Sequence, residues 1–144
     1  MNIAYALGRI FVPIVFVWEA LQKLFDIDRF AKLLADSRVP IPDQITPYLG
    51  GLPKYVVLAW ALALLEFVCG IMILIGFKAR WAALLLVVFT AGAIFFVHNF
   101  WDMAGNAYEQ NQIQALKNLS IMGALLLIVA VGSGPHPVDN REPS

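Results

Sequence analysis

The chain has 144 residues, of which 60% are hydrophobic and 14% are charged, and its formal net charge is zero. Soluble domains have about 45–50% apolar and about 25% charged residues, so a soluble protein of this size would lack the charged groups that cover its surface. The basic residues are spread along the chain, which excludes the basic stripe of a nucleic-acid-binding protein. The composition therefore predicts one domain embedded in a lipid bilayer.

The single cysteine, Cys69, lies within an apolar run. One thiol cannot form an internal disulfide or a CxxC pair, which argues against dithiol exchange by this chain. The sequence shows no metal-ligand spacing, no phosphate-binding glycine loop and no metalloprotease motif. We therefore predict no metal site and no catalytic residue, and we favour a protein that is not an enzyme on its own.

Four apolar stretches are long enough to cross a bilayer as helices, which takes about 20 residues each. The predicted spans cover about residues 3–24, 55–75, 79–98 and 115–131. Backbone groups cannot stay unpaired in lipid, and these runs lack the alternation of β-barrel strands, so each must be helical. The prediction is an all-α integral membrane four-helix bundle over residues 1–134, followed by a polar flexible tail over residues 135–144.

The long connection after the first span is predicted to contain a short amphipathic helix. Between Asp28 and Asp36, the apolar residues Phe30, Leu33 and Leu34 follow i, i+3, i+4 spacing, and the charges fall on the other face. This pattern is typical of a helix that lies in the membrane interface. The turn before the third span is very short, so the second and third spans should be antiparallel neighbours.

Two distributions of positive charge point to opposite orientations in the membrane. The first connection carries more basic residues than the turn with Lys78 and Arg80, which favours a cytoplasmic first connection. Its basic residues are mixed with acids, whereas Lys78 and Arg80 lie beside two helix ends without a neighbouring acid. We predict the second orientation, with both termini cytoplasmic, because it is the topology expected of the family named below.

Ionisable residues within the spans are candidate functional residues, because charges are costly in lipid and usually face the bundle interior. With a rise of about 1.5 Å per residue, Glu66 lies roughly 16 Å from the end of its span nearest the first connection, close to the midplane. Arg9 lies within about 5 Å of the same height. We predict a buried ion pair between Arg9 and Glu66. Alternatively, Arg9 extends to the nearer membrane surface and Glu66 is protonated.

More polar and aromatic residues gather at the end of the bundle nearest the first connection. The cluster comprises Glu19, Lys23, His98, Trp101, Lys117 and Asn118. A histidine can either donate or accept a hydrogen bond, so beside a lysine and aromatic rings it could bind a quinone carbonyl or another small polar headgroup. Alternatively, the cluster is an ordinary interfacial belt, with aromatic rings at headgroup depth and lysines extended to water.

Several segments, taken in order, resemble one protein family. They are Leu21-Gln22-Lys23-Leu24, Val39-Pro40-Ile41-Pro42, Glu66 with Gly70 and Gly76, Lys78-Ala79-Arg80, His98-Asn99-Phe100-Trp101, and Lys117-Asn118-Leu119 with Gly123. In this order they resemble the DoxX family of small bacterial four-helix membrane proteins. The resemblance extends over nearly the full length of the chain.

The resemblance implies a multi-pass protein of the bacterial inner membrane with a loose link to redox chemistry. The family name comes from a subunit linked to a quinol-using terminal oxidase, and other members are described as membrane partners of oxidoreductases. The implied function is a non-catalytic membrane subunit of a quinone-linked oxidoreductase, with a quinone as ligand and a redox enzyme, a second copy of the chain and the lipid bilayer as partners. The alternatives are a structural or assembly module without a ligand and a small proton-coupled transporter that uses Glu66.

Overall fold

The structure, a computed structural model, describes residues 3–133. Five α-helices follow in order: α1 (Ile3–Phe25), α2 (Ile27–Asp36), α3 (Lys54–Ile75), α4 (Ala79–Gly92) and α5 (Gly105–Val131). Shorter turns cover Asp43–Leu49 and Phe100–Asp102 as 3₁₀ helix and Ala93–Val97 as π helix. Residues 3–133 contain no strand, which confirms the predicted all-α class. The predicted tail over residues 135–144 lies outside the described part of the chain.

The four predicted spans are confirmed as four long apolar helical segments. They cover Ile3–Phe25, Lys54–Ile75, Ala79–Asp102 and Gly105–Val131. The last helix begins at Gly105, well before the predicted start near residue 115. Its first turns are polar and therefore have low hydropathy, but they contain alanine, glutamate and glutamine, which favour the helical backbone.

The long helices alternate in direction around one core. α1 packs mainly on α3, α3 on α4, and α4 on α5, while a smaller contact between α1 and α5 closes the bundle. Buried apolar side chains at its centre include Phe16, Cys69, Ile73, Leu86 and Leu125. The burial of Cys69 fits the role of a small apolar packing residue.

α1 and α3 approach each other closely at Gly70. A Cβ atom placed on Gly70 would lie 2.8 Å from Cγ2 of Val17 and 3.5 Å from the carbonyl oxygen of Pro13. Small residues permit this approach, which helices in lipid use because packing rather than hydrophobic burial holds them together. The contact therefore sets the register between α1 and α3.

α2 is amphipathic as predicted, and its apolar face packs on the first part of α3. Phe30, Ala31 and Leu34 are buried against Ala59 and Ala63. The side chain of Asp26 accepts a hydrogen bond from the backbone N–H of Arg29 at 3.3 Å and so caps the helix. α2 thus packs over the start of α3 and also contacts α1, which precedes it in the chain.

The third span departs from the predicted continuous helix over residues 79–98. Its regular α-helix ends at Gly92, and a π-helical turn follows over Ala93–Val97. The backbone N–H of His98 donates to the carbonyl of Ala93 at 2.9 Å, which closes the wider i to i+5 turn. Such single π turns are frequent at functional sites, because they redirect the side chains that follow.

Candidate functional site

A buried ion pair joins α1 to α3 in the bundle interior. Nζ of Lys23 lies 2.5 Å from Oε2 of Glu66, whose side chain is fully buried. The same ammonium lies 3.6 Å from Oε2 of Glu19, one helical turn earlier on α1. Nζ is also 5.4 Å from the centre of the Phe30 ring and 5.3 Å from that of Phe89, at distances that allow cation–π attraction.

The predicted ion pair between Arg9 and Glu66 is not formed, because the register of the helices brings Lys23 to Glu66 instead. Gly70 lies opposite Val17, so Glu66, one turn away on the antiparallel α3, lies near the level of Ala20. Lys23 is about 5 Å along α1 from that level, within reach of its long side chain, whereas Arg9 is about 17 Å away in the other direction.

Arg9 and Glu66 would lie at similar heights only if α1 ended at the level where α3 begins. The structure shows that α2 packs against the first turns of α3 and takes up part of that depth. The last turn of α1 therefore lies deeper than the start of α3. The offset between two helices along their axes leaves no periodic pattern in their sequences. The hydropathy of the two spans therefore does not predict it.

Arg9 lies at the opposite end of the bundle, where α5 ends. Its Nη1 donates to the carbonyl oxygen of Ser133 at 2.8 Å. The hydroxyl of Tyr5 donates to the carbonyl of Gly132, and Nη2 of Arg80 donates to that of Val131 at 3.4 Å. The last carbonyls of a helix have no partner within the helix, and cations are favoured beside them, so Arg80 caps α5. Arg9 binds the chain two residues beyond the end of that helix.

A cavity of about 360 Å³ adjoins the Lys23–Glu66 pair, and both side chains are part of its lining. Its walls are mostly apolar and come from all five helices and the π-helical turn. Charged side chains at the cavity are Glu19, Lys23 and Glu66, and neutral polar ones are Thr90, His98, Gln114 and Asn118. The volume falls within the range of about 300–1,000 Å³ that is usual for small-molecule sites.

The cavity brings together part of the cluster predicted from the sequence. Glu19, Lys23, His98 and Asn118 line it, with Glu66 from the predicted buried pair. Lys117 is not among the lining residues and donates to Oε1 of Gln114 at 3.0 Å on an exposed face. Asn118 therefore faces the cavity, whereas its neighbour Lys117 faces outward.

Trp101 is also outside the cavity lining. Its ring is half exposed and lies 6.1 Å from the ring centre of Phe95 and 5.4 Å from that of Phe100. The helix of the third span ends at His98, and Trp101 lies in the short 3₁₀ turn that follows it. The arrangement of Trp101 therefore favours the interfacial-belt alternative for this residue.

His98 connects the π-helical turn to α5. Its Nδ1 is 3.0 Å from Oδ1 of Asn111, and Nδ2 of Asn111 donates to the carbonyl of Ala107 at 2.9 Å. With the amide oriented in this way, Nδ1 of a neutral ring donates to Oδ1 and Nε2 is left as an acceptor. The imidazole is therefore held in one orientation at the edge of the cavity.

Two buried polar atoms at the cavity have no hydrogen-bond partner among residues 3–133. They are Oε1 of Glu66 and Oγ1 of Thr90. More than nine in ten buried polar groups in proteins are hydrogen-bonded, so each exception requires an explanation. The sequence contains no signal for Thr90, because a single threonine in an apolar span also packs as a small side chain.

Comparisons with known proteins assign the fold to a family. The DoxX family model matches residues 4–99. The inner membrane protein YphA of Escherichia coli is 30% identical over 94% of this chain and 87% of its own length. The inner membrane protein YqjF of the same bacterium is 37% identical over 53% of this chain and 55% of its own length.

A further similarity covers about half of the chain. The Surfeit locus protein 4 homolog of Schizosaccharomyces pombe is 33% identical over 49% of this chain and 24% of its own length. No solved structure matches the sequence. The family model and the nearly full-length similarity to YphA agree with the four apolar helical segments, and the chain therefore belongs to the DoxX family.

Proposed function

We propose that this chain is a non-catalytic inner-membrane protein that binds a lipophilic molecule with a polar head, of the quinone and quinol class, as the membrane partner of an oxidoreductase. The observation that carries the proposal is the cavity that ends on the Lys23–Glu66 pair. The relatives YphA and YqjF are named inner membrane proteins, which supports the location.

The lining of the cavity suits a ligand with two unlike parts. Aromatic and aliphatic side chains, among them Phe16, Leu62 and Phe96, provide apolar walls for a ring or an isoprenoid-like chain. Lys23 and His98 provide polar contacts for the head of the ligand. Ligand sites commonly combine a mostly apolar lining with a few placed polar groups, which fix orientation and selectivity.

We infer that this chain acts as the partner of an oxidoreductase from the electron transfer that a quinone undergoes. A bound quinone exchanges electrons only with a redox centre, and we assign that centre to a second protein. This chain would hold the ligand within reach of that partner and exclude competing lipids. In the alternative role, as an assembly module without a ligand, the Lys23–Glu66 pair only fixes the register of α1 against α3.

Mass spectrometry of the gently solubilised protein tests the proposal by recording bound small molecules and co-purifying chains together. We expect a stoichiometric lipophilic ligand in the wild-type protein. Leu62→Trp places a bulky indole ring in the cavity and should abolish retention of the ligand. Leu64→Trp is the matched control, because Leu64 lies on the same helix but is 46% exposed on its outer face.

The same experiment separates the proposal from the alternative. A wild-type protein that carries only bulk phospholipid, or equal ligand retention by Leu62→Trp and wild type, would contradict the binding role. A folded, ligand-free protein that still captures a partner chain would favour the assembly module.

A further inference from the structure

We propose that the cavity selects lipophiles whose polar head carries a hydroxyl group, such as phenols and quinols, over analogues whose oxygen can only accept hydrogen bonds. The inference rests on the proposed binding role of the cavity and adds the chemical class of the head. It is carried by the two unpartnered atoms, Oε1 of Glu66 and Oγ1 of Thr90.

Oε1 of Glu66 lacks a hydrogen-bond donor among residues 3–133, and we assign that donor to the ligand. Oε2 already accepts from Lys23 at 2.5 Å, while Oε1 has no partner and the side chain is fully buried. An ionised carboxylate only accepts hydrogen bonds. A ketone, ether or quinone oxygen brings no donor, so such a head would leave Oε1 unpaired in a site from which it has displaced water.

Thr90 lies close to the height of Glu66 in the bundle. α3 and α4 are antiparallel neighbours joined by a tight turn, and from that turn Glu66 is about 14 Å along α3 and Thr90 about 17 Å along α4. Both side chains line the same cavity, and Thr90 is 2% exposed. Phe89, the residue next to Thr90, already contacts the Lys23 ammonium, which places this part of α4 beside the ion pair.

A hydroxyl group meets the requirements of both atoms. It can donate its hydrogen to Oε1 of Glu66 and accept a hydrogen bond from the hydroxyl of Thr90. Leaving a buried acceptor unpaired typically lowers affinity by roughly 10- to 100-fold, so the preference for a hydroxyl over an ether of the same shape should be of that size. For a quinone couple, the reduced form carries the hydroxyl groups and should bind more tightly.

The test compares a short-chain 4-alkylphenol with its O-methyl ether, which differ at one donor hydrogen and have no redox chemistry. Affinities are measured for the full-length protein in nanodiscs, with partition into empty nanodiscs subtracted. We expect wild type to bind the phenol roughly 10- to 100-fold more tightly than the ether. Thr90→Val keeps the shape of the side chain but removes a donor to the oxygen of either compound, so it should weaken the binding of both at least several-fold, while Thr90→Ser should bind both like wild type.

Ser120→Ala is the matched control for loss of a hydroxyl. Its Oγ donates to the carbonyl of Leu116 at 3.1 Å on an exposed face of α5, outside the cavity. This variant should keep the wild-type affinity for each of the two compounds.

The outcomes distinguish this inference from the proposed function. If neither compound binds, the binding role itself is wrong. If both bind with equal affinity, the cavity binds lipophiles but the selection for a hydroxyl is overturned, as it would be if bound water satisfied the two atoms. A Thr90→Val variant that binds both compounds as tightly as wild type would overturn the assignment of Thr90.

Discussion

Lys23 is suited to hold a buried carboxylate from the last turn of a helix. Its ammonium reaches inward to Glu66 between the rings of Phe30 and Phe89, and its side chain keeps 20% exposure. A flexible four-carbon stem can place the charge several ångströms from its own helical level. Glu66 has no such freedom, because it lies in the middle of α3 with no exposed surface.

Removing the ammonium should therefore destabilise the fold strongly. Lys23→Met keeps most of the side-chain volume but leaves the buried carboxylate of Glu66 without its cation. Breaking one partner of a buried pair typically costs about 3–5 kcal/mol, and we expect a loss of this size in the free energy of unfolding. Denaturant titration in mixed micelles, followed by circular dichroism, measures the change.

Lys117→Met is the control for the lysine-to-methionine change itself. Lys117 lies on an exposed face of α5, so its loss should change stability by less than about 0.5 kcal/mol. The double variant Lys23→Met with Glu66→Leu removes both charges and should recover most of the lost stability. Equal stability of Lys23→Met and Lys117→Met would contradict the buried pair.

Arg9 should act independently of Glu66, because it binds the Ser133 carbonyl, just beyond α5, at the other end of the bundle. Arg9→Gln removes the charged donor to the Ser133 carbonyl and should cost about 1–2 kcal/mol. In a double-mutant cycle with Glu66→Gln, the two effects should add within about 0.5 kcal/mol, as for distant sites. A larger coupling energy would restore the Arg9–Glu66 pair that the sequence suggested.

At the scale of elements, the contact between α1 and α3 depends on the absence of a side chain at Gly70. In Gly70→Ala, the new methyl would lie 2.8 Å from Cγ2 of Val17. Valine in a helix has one strongly preferred rotamer and cannot easily turn away, so the helices must move apart. Overpacking of this kind costs about 1–3 kcal/mol, which thermal unfolding in detergent would detect.

Val17→Ala tests the origin of that cost. It removes the Cγ2 atom that the new methyl would meet, so Gly70→Ala should destabilise the Val17→Ala background by less than it destabilises wild type. Gly92→Ala serves as a control in the third span, because a Cβ on Gly92 meets no atom within 4 Å. A Gly70→Ala variant as stable as Gly92→Ala would contradict the close approach.

The π-helical turn and α5 are joined by the hydrogen bond between His98 and Asn111. We expect His98→Ala to fold, with a loss of about 1 kcal/mol from that bond, and to bind the ligand less tightly because the ring lines the cavity. Asn111→Ala removes the same bond but no lining side chain. Its affinity should therefore exceed that of His98→Ala, whereas equal affinities would make His98 a packing residue only.

At the scale of the whole molecule, the helix ends that lie together leave two possible orientations of the bundle in the membrane. The starts of α1 and α4 lie beside the end of α5, so the turn between α3 and α4 shares one side with the N-terminal end of α1. The long connection between α1 and α3 lies on the other side. The prediction that both termini are cytoplasmic therefore places that connection in the periplasm.

Labelling of single cysteines tests this orientation. In a Cys69→Ala background, Gln44→Cys in the first connection should react with a membrane-impermeant maleimide in intact spheroplasts. Phe77→Cys in the turn before α4 should react only after permeabilisation. The reverse pattern would place the termini in the periplasm and would agree with the simple count of basic residues.

The sequence by itself determined the membrane location, the four spans and the all-α class. These follow from hydropathy alone, because lipid admits only long apolar segments with internally paired backbones. The amphipathic pattern of Phe30 and Leu34 likewise indicated a helix in the first connection. The sequence also marked Glu19, Lys23, His98 and Asn118 as polar groups near one end of the bundle, and Glu66 as a buried carboxyl group near the midplane.

Only the tertiary structure decided which of those groups meet. The partner of Glu66 depends on the vertical offset between α1 and α3, which the close contact at Gly70 and the packing of α2 produce. The exclusion of Lys117 and Trp101 from the cavity depends on the rotation of α5 and on the end of the third helical span at His98, before the 3₁₀ turn that holds Trp101. Offsets and rotations between helices arise from the fit of side chains across the bundle. The hydropathy pattern within a single span does not predict them.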